Sequence, residues 1–152
     1  MHVLIATDGS QQSIEAARYL RGLADPDSIT EISVLAVVSP LAAVPFVNEG
    51  EATPGLDDLS FRRSAERATE ALADELRDWG PAVSTQVHGG SPSSEIVKAA
   101  TALRADLIVL ANSGSRAEAV LMGSVAHRVM SHATCPVLVV RPGATSRKRR
   151  QE

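Results

Sequence analysis

Short apolar runs that do not alternate with polar residues constrain this chain more than any other feature. Val3-Leu4-Ile5-Ala6 begins the first, inside a stretch from His2 to Thr7, and Asp106 to Ala111 is apolar throughout after its first residue. A strand wetted on one face alternates, whereas one that is apolar on both sides is covered on both sides, as in a parallel sheet between helices. Glu31–Val38 and Pro136–Val140 read the same way, and Ala82–His88 is a strand that keeps some alternation.

The segments between these runs carry helical spacing. Ile14, Ala17, Leu20 and Leu23 recur at that period in Gln12–Leu23, with Ser10 or Ser13 as cap and Asp25-Pro26-Asp27 as the stop. Asp57–Trp79 is the clearest helix, its buried stripe being Ala65, Ala68, Leu72, Leu76 and Trp79. Arg62, Arg63, Glu66, Arg67 and Glu70 face outward. Ser93–Leu103 follows Pro92 with Ser93 as cap, and a last helix opens near Gly123-Ser124 and runs to Ala133. Leu41–Gly55 has no clean period and reads as a long loop, a feature that is often functional in a compact domain. Repeated strand–helix units closing on a strand give an α/β fold, three layers deep, with a parallel sheet between helices.

Aromatic residues make up only 3%, so the core is aliphatic. A net charge of −3 argues against a nucleic-acid partner, because a protein that neutralises phosphates carries a basic face. The exception is Arg147, Lys148, Arg149 and Arg150, in a basic tail over 144–152 that is expected to be disordered beyond a single domain over 1–143. One cysteine, Cys135, excludes an internal disulfide and points to a reducing, cytoplasmic setting. No leader precedes the first strand, and the apolar runs are too short to span a bilayer, so no membrane role is expected.

In an open parallel sheet, ligands sit at the carboxyl ends of the strands where the strand order reverses. Polar or glycine residues reach that edge at Ala6–Ser10, at Val37-Val38-Ser39, and at Ala111–Gly114 together with Gly123-Ser124-Val125. Gly123-Ser124 at a helix start would offer free amides and a hydroxyl to a phosphate, or Ser124 would simply cap its helix. Asp8 beside Gly9 either accepts from a ribose hydroxyl or a base amine, or serves the turn. No Walker sequence, dinucleotide fingerprint or Gly-X-Ser-X-Gly elbow occurs. His2, His88, His127 and His132 are scattered without metal-binding spacing, and Cys135 reads as a small packed side chain.

Taken in order, several segments resemble the universal stress protein family. They are Val3–Ser10, Gly90-Ser91-Pro92-Ser93-Ser94-Glu95-Ile96, Ala105–Val109, and Gly123-Ser124-Val125-Ala126 with Cys135–Arg141. The resemblance covers Val3 to Arg141. It implies a five-stranded parallel sheet of the Rossmann-like, adenine-nucleotide α-hydrolase type and a homodimer, commonly formed through the last strand. Here that strand is Pro136, Val137, Leu138, Val139 and Val140, and an apolar edge strand suits pairing on physical grounds as well.

Members of that family that bind ATP carry glycine, two residues, glycine, nine residues, then glycine with Ser or Thr. This chain has Ala111 at the first glycine, and only eight residues, Ser115 to Met122, separate Gly114 from Gly123. A methyl at Ala111 crowds a place where bare backbone normally meets ligand, and the missing residue removes up to about 3.5 Å of reach. Carried over position by position, the resemblance puts Thr7 and Asp8 at base and ribose and the Val37 backbone at adenine. Gly114, Gly123, Ser124 and Val125 then hold the phosphates, and Ala6, Ala111 and Asn112 complete the expected nucleotide-binding set. The expected ligand is ATP, with magnesium, in a stress-response sensor or regulator. No base for activating water is recognisable, so binding outranks catalysis and slow ATP hydrolysis is the upper bound. The runner-up is a nucleotide-free dimer that binds an unidentified protein partner; an adenylyl- or phosphoryl-transfer enzyme would need a catalytic group that is not evident.

Overall fold

The computed structural model describes residues 1–39, 56–112, 119–141 and 143. Strand β1 (His2–Thr7) leads to helix α1 (Gln11–Leu23), a 3-10 turn at Pro26–Ser28, and β2 (Glu31–Val38). Helix α2 (Leu56–Asp74), β3 (Ala82–Gly89), α3 (Pro92–Leu103), β4 (Leu107–Ala111), α4 (Ala119–His132) and β5 (Val137–Val140) complete the order. The strands form one five-stranded sheet, β3-β2-β1-β4-β5, with every pairing parallel. The chain builds outward from β1 to β3 and then returns to add β4 on the other side of β1, so strand order reverses between β1 and β4.

The unalternating runs are explained by two cores, one on each face. Val3 and Ile5 join Ala16, Leu20, Leu72 and Leu76 under α1 and α2, while Leu4 joins Leu35, Ile96, Ile108 and Val129 under α3 and α4. Val3, Leu4 and Ile5 are all 0% exposed, because successive side chains enter opposite cores.

The structure moves several expected boundaries. Helix α1 buries Ser13, Ala16, Ala17 and Leu20, while Leu23 is 59% exposed. The small residues thus face the sheet and bring the helix close. Ser10 is the cap, its Oγ accepting from the Ser13 amide at 3.3 Å. Helix α2 ends at Asp74 rather than Trp79; the chain continues in tight turns, with Glu75 N–H donating to the Leu72 carbonyl and Trp79 N–H to that of Leu76. Leu76 is buried all the same, so the stripe outlasts the helix. In α3 the cap position is Ser91, without a side-chain cap bond; Pro92 occupies the first turn and Ser93 is buried.

Strand β4 begins at Leu107; just before it, the Asp106 carboxylate accepts from the His2 amide at 2.7 Å and the Asp106 amide donates to the His2 carbonyl at 2.8 Å, and β5 begins after Pro136. Helix α4 opens at Ala119, four residues before Gly123. The long loop at 41–55 and the basic tail at 144–152 lie outside the described residues.

Candidate functional site

The carboxyl ends of β1, β2 and β4 surround a chamber of about 170 Å³ on the α3/α4 side of the sheet. Its walls are mostly apolar: Ala6, Leu35, Val37, Pro92, Ile96, Leu110, Ala111, Val125 and Ala126, with Thr7, Asp8 and Ser13 supplying the polar side chains. It sits at the β1/β4 reversal, where ligands of open parallel sheets bind. A wider cleft of about 630 Å³ lies on the α2 side and shares Thr7, Asp8 and Val37 with the chamber.

The turn after β1 is fixed by a directed chain of hydrogen bonds. Ser13 Oγ donates to the Ser10 carbonyl at 2.7 Å, so its only proton is spent. Thr7 Oγ1, 2.8 Å from Ser13 Oγ, must then be the donor of that pair, and it also accepts from the Gly9 amide at 3.1 Å. The Asp8 carboxylate accepts from the Ser10 amide at 3.0 Å, which is the turn role, and the same bond holds it at the chamber rim. Gly9 has φ +80°, a left-handed conformation that glycine adopts at no steric cost.

Strand β2 supplies a backbone group. Its pairing with β1 ends at Thr7↔Ala36, whereas its pairing with β3 continues to Val38↔Gly89. The Val38 carbonyl is turned toward β3, accepting from Gly90 N–H at 3.0 Å. Peptide groups alternate in direction along a strand, so the Val37 carbonyl is turned toward the β1 side, beyond the end of β1. It is a hydrogen-bond acceptor beside the chamber.

Of the residues expected at a nucleotide site, the fold gathers Ala6, Thr7, Asp8, Val37, Ala111 and Val125 around one cavity. Asn112 extends the sheet instead, its amide donating to the Val140 carbonyl at 2.8 Å. Gly114 lies outside the described residues. Gly123 and Ser124 occupy the second turn of α4, where amides are already paired within the helix; the free ones belong to the first turn. The expectation that Gly123-Ser124 opens the helix is therefore corrected. Leu35, Ile96, Leu110 and Ala126 were not anticipated as lining, although helical and strand periodicity marks each as facing the sheet or a core.

Other candidate chemistry is weak. Burial, with the Asp106 carboxylate second, pushes the Cys135 thiol up and away from reactive thiolate. No group of His, Cys, Asp and Glu among the described residues has metal-binding geometry. No described helix is long and apolar enough to cross a membrane.

Comparison with known proteins places this geometry. The model of the universal stress protein family matches residues 1–141. Universal stress protein MJ0531 of Methanocaldococcus jannaschii is 34% identical over 141 residues, covering 91% of this chain and 81% of the relative. The solved structure of the hypothetical protein MJ0577 superimposes with a TM-score of 0.77 at 25% identity, over 92% of this chain and 94% of that one. A universal stress protein solved in complex with cAMP gives a TM-score of 0.67 at 23% identity, over 92% of this chain and 96% of that one. The chain belongs to the universal stress protein family.

Proposed function

We propose that this universal stress protein binds an adenine nucleotide, ATP with magnesium in the first instance, and acts as a stress-response sensor or regulator in the cytoplasm. The observation that carries the reading is the Val37 carbonyl beside an apolar chamber. An adenine base has flat apolar faces and an amine donor at its edge, so aliphatic walls and a carbonyl acceptor fit it. Asp8 at the rim suits ribose hydroxyls. A relative of the same fold was solved with cAMP, whose base and ribose are those of this ligand. The chamber alone is smaller than the roughly 300–1,000 Å³ of whole-ligand pockets, so it suits the base and leaves the phosphates outside. Magnesium would then be held chiefly through those phosphates. By the family pattern alone, Gly114, Gly123, Ser124 and Val125 are proposed to meet the phosphates, and of these Val125 lines the chamber. The reading assigns binding and no catalytic residue.

The nucleotide-free reading has one observation in its favour: the Ala111 methyl stands in the chamber wall where the family pattern has glycine. Either reading is compatible with a homodimer through β5, which is the last strand of the sheet and offers its outer backbone edge to a second copy.

The test is to purify the protein without added nucleotide, denature it and identify released ligand by mass spectrometry, then titrate ATP with magnesium by calorimetry. Copurified adenine nucleotide, or micromolar binding weakened at least about tenfold by Asp8→Ala, supports the reading. No released ligand and no heat at millimolar ATP would leave the nucleotide-free dimer.

A further inference from the structure

Strand β3 is one end of the sheet, with β2 on its inner side. It runs in unbroken register with β2 from Glu31↔Ala82 to Val38↔Gly89, so no bulge turns its outer edge away. Ala82 N–H donates to the Thr30 carbonyl at 3.3 Å and Gly90 N–H to that of Val38 at 3.0 Å. Peptide groups alternate along a strand. The even-numbered residues therefore bond to β2, and the amides and carbonyls of Val83, Thr85, Val87 and Gly89 point outward. Edges are ordinarily blunted by charged side chains or Pro, yet Ala82–Gly89 contains no Lys, Arg, Asp, Glu or Pro.

The surface beside this edge is concave. A groove of about 390 Å³ lies between α2 and β3, with Arg62, Glu66 and Glu70 on the helix and Thr85 and Val87 on the strand. Thr85 Oγ1 donates to Glu70 at 3.3 Å. On the other face, Ser84 Oγ lies 3.3 Å from Ser33 Oγ, and His88 Nδ1 lies 3.8 Å from the Glu95 carboxylate of α3. Val83, Thr85 and Val87 thus share the α2 face, while Ser84, Gln86 and His88 share the α3 face.

We infer that the β3 edge is a pairing surface for a second copy of the chain, laid antiparallel about a twofold axis at Gln86. Such a seam is isologous, and outward-pointing residues must meet outward-pointing ones. Centring on Gln86 sets Val83 opposite Gly89 and Thr85 opposite Val87, so each outward amide and carbonyl finds its complement. Centring on Thr85 would instead bring Pro81, which has no N–H, opposite Gly89, and centring on Val87 leaves Val83 beyond the partner's strand. The side chains match in the same register. Ser84 meets the partner's His88, hydroxyl to imidazole; Gln86 meets its own copy, amide to amide; and β-branched Thr85 meets β-branched Val87. Arg62 and Glu70 mark the two ends of the helical wall of the groove. Antiparallel copies bring Arg62 of one to the end that holds the partner's Glu70, an opposite-charge match. The seam uses the sheet edge opposite β5 and is independent of nucleotide binding.

Cross-linking tests the register. Gln86→Cys and Ser84→Cys are each made in the full chain carrying Cys135→Ser and exposed to oxidised glutathione. Opposed residues that do not share backbone bonds have Cα atoms about 4.5 Å apart, within disulfide reach. Gln86→Cys is expected to form a covalent dimer at least about tenfold faster than Ser84→Cys, whose own copy lies out of reach across the axis. Sedimentation from micromolar to millimolar protein gives a second readout. Gln86→Lys sets like charges against each other on the axis and should weaken self-association at least about tenfold, with circular dichroism unchanged. Association through β5 is left intact in every variant, so loss of that homodimer and loss of the β3 seam are read separately. Cross-linking at Ser84→Cys as fast as at Gln86→Cys would overturn the inference, as would wild-type self-association in Gln86→Lys or a wild type that stays monomeric throughout.

Discussion

Thr7 shows how a single hydroxyl joins fold and site. It receives the Gly9 amide and gives its proton to Ser13, so it can accept from a ligand but not donate to one. Thr7→Val keeps the shape and leaves the Gly9 amide and Ser13 oxygen short of a partner. Urea unfolding should show a loss of about 1–3 kcal/mol, with Thr7→Ser close to wild type. A second prediction concerns pH. Hydrogen bonding from the Arg18 guanidinium, at 2.8 and 3.0 Å, holds the Glu75 carboxyl below its ordinary range. A depressed folded-state value means that the pair stabilises above the unfolded carboxylate range and that this is lost as pH falls through the lower folded value. Both side chains are partly in water, so Glu75→Gln should cost no more than about 1 kcal/mol at neutral pH. Chemical melts should find the variant and wild type converging in acid. Asp8 was legible in the sequence as either a turn residue or a ligand contact, and it is the first while placed for the second. Ser13's burial was not legible, because a serine in a helical pattern gives no sign of which neighbour takes its proton.

Among the elements, the strands were readable and the helix ends were not. Val3-Leu4-Ile5 can be apolar throughout only if both faces are covered, which is a strong local constraint. Helix ends depend on weaker competition. The stripe from Leu72 to Leu76 continues past Asp74, so periodicity overran the helix, and the start of α4 was read at the glycine rather than at Ala119. The end of α3 offers a test. Arg104 takes φ 51° there, with Ala105 N–H donating back to the Ala100 carbonyl at 2.9 Å. This is the position where glycine usually stands, and a side chain in that conformation costs about 1–2 kcal/mol. Arg104→Gly should stabilise the protein by about 0.5–1 kcal/mol, after glycine's greater unfolded-state entropy is subtracted, and raise its thermal midpoint.

At the scale of the whole molecule, the sheet order decides where chemistry can happen. Placing β4 beside β1 opens the gap into which Thr7, Asp8, Val37 and Val125 converge from β1 and the turn after it, β2 and α4. Sequence alone located most of those residues at the correct strand ends. It could not size the chamber or show the second cleft, because Arg67 and Asp8 are brought together only by the packing of α2. The most direct test of adenine-nucleotide binding is an amide-resolved NMR titration of the isotopically labelled protein with ATP and magnesium. Shifts are expected to concentrate at Ala6–Asp8, Val37, Ala111 and Val125, with the amino-end residues His2, Glu31 and Ala82 unmoved. An unchanged spectrum at millimolar nucleotide, or shifts confined to surfaces away from the carboxyl end of the sheet, would contradict it.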